Sequence, residues 1–90
     1  MAVNFTALSL DSDEKQVQKY ERMIDEILSR QDAVDSKMRV IDGKYSISFL
    51  LDFPLKPGSF LELRTRYKAA GWDDLIMNSG QSITLIKAVA

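Results

Sequence analysis

The apolar positions of this chain follow two rhythms in turn. Val17, Tyr20, Ile24, Ile27 and Leu28 recur at helical spacing, while Lys15, Gln18, Arg22, Asp25, Glu26 and Ser29 fall between them. That pattern predicts an amphipathic helix with one buried stripe. Asp11 or Ser12 stands in the capping place, Asp11 and Glu14 have the spacing of a capping box, and the periodicity ends the helix near Arg30 to Val34. Glu26 and Arg30 stand four apart in the favourable order. From Lys37 the rhythm becomes alternating. Lys37 to Ile41, Asp42-Gly43, then Lys44 to Asp52 reads as a β-hairpin with a type I′ turn, because Asp-Gly tolerates the positive φ angles of that turn. A two-residue loop sets Ile41 opposite Lys44 and Val40 opposite Tyr45. Met38, Val40, Tyr45, Ile47, Phe49 and Leu51 then share one face, with Arg39, Ser46 and Ser48 on the other.

Two prolines in Phe53 to Gly58 break the strand. Ser59 and Glu62 have capping-box spacing, and Phe60, Leu63, Tyr67 and Ala70 line one face of a second helix that Gly71 stops. Trp72 to Met77 and Ile83 to Val89 read as two further strands. Residues 3 to 10 alternate loosely and read as a strand or an arm. The expected fold is α+β, with two helices on one face of a four- or five-stranded antiparallel sheet. The order is αββαββ, or a ferredoxin-like βαββαβ with one extra strand if residues 3 to 10 are counted. No linker divides the chain, so residues 1–90 are read as a single domain.

Composition narrows the chemistry. There is no Cys and no His, so disulfides, thiolate zinc sites, a thiol nucleophile and the commonest general base are excluded. Ser46 and Ser48 have no histidine to activate them. Asp73-Asp74 is the one adjacent carboxylate pair, and on a strand its side chains point apart. Lys56-Pro57-Gly58-Ser59 resembles an anion-binding helix start but lacks the spacing and the lysine of a phosphate loop. These readings give a non-enzymatic protein with no cofactor and no metal. No run of residues is apolar enough to cross a bilayer and no secretory signal is evident, so a cytoplasmic location is expected.

The net charge of −1 conceals a separation: residues 11–35 hold eight acids against four bases, and residues 36–71 seven bases against three acids. Such a division can steer a charged partner, or simply let an acidic helix lie beside basic elements.

Three surfaces are candidates for binding. The last hairpin is apolar on both faces. A three-residue loop with a left-handed Gly80 groups Leu75, Met77, Ile83 and Leu85 against Trp72, Ile76, Thr84 and Ile86. A two-residue Ser79-Gly80 loop instead groups Trp72, Ile76, Ile83 and Leu85 against Leu75, Met77 and Ile86. Either way an apolar face is left for a protein partner or a second copy, unless residues 3 to 10 or a curled sheet cover it. Leu61, Arg64 and Lys68 share a flank of the second helix and form a second docking place. Arg39 and Lys44, taken with Arg64, Arg66 and Lys68, would serve the alternative of RNA or DNA binding, although no aromatic run marks a base-stacking platform.

Leu63 to Trp72, with Tyr67, two alanines and Gly71-Trp72 leading into a hairpin, resembles a segment of small bacteriophage-encoded accessory proteins. The resemblance covers about a quarter of the chain. It implies a small phage protein acting on a host or phage factor, with no active site to carry over.

Overall fold

The computed structural model describes residues 13–89. Helix α1 spans Glu14–Leu28, α2 Gln31–Lys37 and α3 Pro57–Ala69. Strands β1 (Arg39–Ile41), β2 (Lys44–Leu50), β3 (Asp74–Ser79) and β4 (Ser82–Ala88) form one sheet of order β1-β2-β4-β3. All three strand pairs are antiparallel. The described residues thus form an α+β fold with three helices and four strands. Residues 3 to 10, read as a strand or an arm, lie outside the described residues.

The first helix starts later and ends sooner than expected. Its N-cap is Asp13, whose carboxylate accepts from the Lys15 and Gln16 N–H groups. Its apolar stripe is exhausted at Leu28, because the next positions at helical spacing are Gln31 and Asp35. Arg30 takes an extended conformation there, and the separate short helix α2 follows, a helix with no buried residue.

Around α3 the capping expectation is corrected. The helix begins three residues earlier, with Lys56 in place of Ser59 as N-cap and Pro57 at the first position, where its missing N–H costs nothing. Ser59 therefore lies inside the first turn, completely buried, and its Oγ accepts the Asp13 N–H of α1 at 2.9 Å. At the other end the chain closes in a Schellman arrangement. Gly71 holds φ 105°, Trp72 N–H donates to the Tyr67 carbonyl, and Gly71 N–H donates to that of Lys68. Ala70 caps the helix and is exposed, so it leaves the apolar face assigned to it.

The core joins Val17, Tyr20 and Ile24 of α1 and Leu63 and Tyr67 of α3 to the sheet residues Ile47, Phe49, Leu75, Ile83 and Leu85. Leu51 and Leu55 close it from the loop after β2. The first hairpin has the expected register, Ile41 opposite Lys44 and Val40 opposite Tyr45, and Asp42 and Gly43 both hold positive φ, 51° and 74°. In the second hairpin Leu75 pairs with Leu85 and Met77 with Ile83, the face grouping of the three-residue loop. The loop itself differs: Ser79 pairs with Ser82 across Gly80-Gln81, a register shift between Met77 and Ser79 restores the alternation, and Gly80 has no positive φ.

Candidate functional site

Strand register sorts the sheet residues into two sets. One set supplies the core, with Val40, Tyr45 and Lys87 exposed at its turn end. The other forms rows on the opposite face: Ile41, Lys44 and Ala88; then Arg39, Ser46, Ile86 and Asp74; then Ser48, Thr84 and Ile76; then Leu50 and Ser82. Ile41, Leu50 and Ile76 are 57%, 82% and 38% exposed, and Ile86 is half-buried. Ile41 and Ile86 line one depression of about 230 Å³ with Asp42, Lys44 and Ser46.

The second hairpin's expected face is brought together only in part. Ile76, Thr84 and Ile86 do share it. Trp72 does not: it precedes β3, is tied back to Tyr67 by the helix cap, and packs against the core. Thr84 is buried, with Ser48 and Asn78 hydrogen-bonded to its hydroxyl, so it holds its neighbours and offers little area outward.

The α3 flank is rearranged by ion pairing. Leu61 and Lys68 are exposed as expected, but Arg64 Nε donates to Asp74 Oδ1 at 2.7 Å and stitches α3 to β3. Arg66 is further committed. It donates to Glu62 on its own helix and to Glu21 and Glu14 on α1. The Glu62 hydrogen bond, with those of Glu21 and Glu14, raises its pKa above the ordinary guanidinium value. Lys56–Asp13 and Lys19–Asp52 pairs cross the same division of the chain. Tyr67 adds a hydroxyl donated to the Asp25 carboxylate at 2.8 Å. Burial and that carboxylate together hold the phenol protonated well beyond its usual range. The acidic and basic segments are thus partly spent on each other. Arg39 and Lys44 lie on the outward sheet face and Arg64, Arg66 and Lys68 on α3, so the five candidate nucleic-acid residues occupy separate elements, two of them already holding carboxylates.

Asp73 and Asp74 turn to different partners. Asp73 accepts from the Ala88 N–H and pairs with Lys87; Asp74 accepts from Arg64 and from the Leu75 N–H. The Ala88 N–H chiefly lowers the pKa of the first, and the Arg64 guanidinium that of the second. Both serve as clips for β-structure. The helix start at Lys56 to Ser59 is likewise filled from within, because Ser59 bonds Asp13 and the Asp13 carboxylate lies 3.8 Å from Lys56 Nζ.

No family model, curated protein or solved structure matches this chain. The site therefore rests on geometry alone.

Two exposed residues were missed because their pattern was that of core positions. Val40 and Tyr45 share a face with Ile47 and Phe49, yet they are 63% and 39% exposed. The turn end of the hairpin runs past its cover: α1 reaches only Leu28, and α2, although it touches β2, has only Ala33 and Val34 half-buried. Among the described residues no helix is long and apolar enough to cross a membrane.

Proposed function

We propose that this chain is a small protein-binding module without chemistry of its own, whose working surface is the outward face of the sheet. In this reading α1 and α3 cover one face of the sheet and leave the other to a partner. The observation that supports it is the outward row set itself, where Ile41 on β1, Ile86 on β4 and Ile76 on β3 lie on an oblique line across the four strands, with Leu50 at the far corner. Small proteins seldom leave such aliphatic groups on a flat sheet unless something meets them. Ser46, Ser48 and Ser82 between them suit a partner that brings hydrogen bonds at its rim. On this reading the phage accessory resemblance of the α3–β3 junction would make that partner a host or phage factor.

The test is capture from a lysate with immobilised wild-type chain beside an Ile76→Asp, Ile86→Asp variant, with circular dichroism to show both folded. Loss of the captured protein in the variant is the expected result. Equal capture by both, or none by either, defeats the reading. Light scattering at several concentrations decides whether the partner is a second copy of the chain.

A further inference from the structure

Among the described residues the sheet ends in two unlike edges, β1 and β3. On β3 the edge is guarded: the Leu75 N–H donates to the Asp74 carboxylate, which Arg64 in turn holds. No comparable guard stands on β1 among the described residues. In a hairpin with a two-residue loop, Ile41 and Lys44 form the hydrogen-bonded pair next to the turn, so the N–H and C=O of Val40 point away from β2. Around that free amide, Val40, Ile41 and Tyr45 are all exposed.

The charge here is one-sided. From Lys37 to Lys44 the chain carries three bases and one acid. Lys37, Arg39 and Lys44 form no ion pair among the described residues, although Lys44 feels the Asp73 carboxylate at longer range, and Arg39 donates only to the Ser36 and Met38 carbonyls. Two copies meeting at this end would bring like charges together, which opposes self-pairing and favours an acidic visitor.

We propose that the β1 edge receives an extended, acidic and aliphatic segment of a partner protein, which adds a strand beside Val40 with its carboxylates toward Arg39 and Lys44. Main-chain bonds to the edge would supply affinity and the flanking side chains selectivity. The aliphatic contacts favour a polypeptide over a nucleic acid, since among the described residues the outward face carries no aromatic ring and Tyr45, on the other side of the edge, is a single ring and not a stacking platform. The inference deepens the protein-binding reading and rests on it, but it concerns the edge and not the flat face.

The probes are a synthetic peptide alternating Glu and Val, its Lys-for-Glu counterpart and an oligouridylate, each titrated into the isotope-labelled full chain. The Glu–Val peptide is expected to shift the Val40 and Ile41 amides and to bind roughly tenfold more weakly to Val40→Pro, which removes the outward donor while sparing the β1–β2 bonds. Arg39→Glu with Lys44→Glu, two surface changes that should leave the fold intact, is expected to weaken it as well and to flatten its salt dependence. Equal or better binding of the Lys peptide or the oligouridylate overturns the proposal, as does no shift at β1 with any probe. Shifts confined to Ile76 and Ile86 overturn the edge while sparing the flat-face reading. Failure of the lysate test with the Val40 and Ile41 shifts present would overturn the flat-face reading while sparing the edge.

Discussion

In the first hairpin the turn sets the register: Asp42 and Gly43 both adopt left-handed φ, and the strands follow from them. In the second hairpin Gly80 has no such φ, and alignment comes from burial of Leu75, Ile83 and Leu85 with Asp73, Asp74 and Asn78 clipping the ladder from its sides. The difference has a structural consequence. A hairpin ordered by its own turn can extend beyond the hydrophobic interior, as Val40 and Tyr45 do. A hairpin ordered by the interior must stay beneath what covers it.

The widest separation between the two should appear in core truncation. Leu85→Ala, in a fully buried position, is expected to cost about 2–5 kcal/mol, whereas Val40→Ala should stay within about 0.5 kcal/mol. Urea denaturation of the two variants measures both; a comparable loss at Val40 would mean that the first hairpin also depends on burial. The turns provide a finer test. Gly43→Ala meets no neighbouring atom but must hold φ near 74°, at a cost of about 1–2 kcal/mol. Gly80→Ala, with only Pro54 Cβ at 3.9 Å, should be nearly neutral, within about 0.5 kcal/mol.

The smallest effect concerns acid. Asp73 and Asp74 both have lowered pKa values in the folded chain, so their contribution is complete above the ordinary aspartate pKa of ~3.9 and disappears as pH falls through the folded values. The urea midpoint of the wild type should therefore fall more steeply below about pH 4 than that of an Asp73→Asn, Asp74→Asn variant. Parallel curves would show that packing alone aligns the second hairpin.

What could be read from the sequence divides along the same line. Local codes were legible: the Asp42-Gly43 turn, the α1 stripe, the stop at Gly71 and the alternation that buries Ile47 and Phe49. Features that depend on distant residues were not. Ser59 has the spacing of a cap, yet it serves another helix across 46 residues of sequence. Trp72 alternates like an outward strand residue, but the chain is not yet a strand at that point. The shift near Asn78 has no marker in the residue order, and pattern alone could not tell that Val40 and Tyr45 outrun their cover. Of the expected docking residues, Ile76 and Ile86 kept an outward place, and Arg64 lost its independence to Asp74.

The pairing of β2 with β4 has a bearing on how the molecule would tolerate a broken backbone. These neighbours come from opposite halves of the chain, and the Asp13–Ser59 bond joins the same halves at the helices. A protease nick in the stretch between Leu51 and Lys56 would sever the connection without separating the pieces. Made apart, each fragment would lack the strand that completes it, and the two would regain their shape only in each other's company.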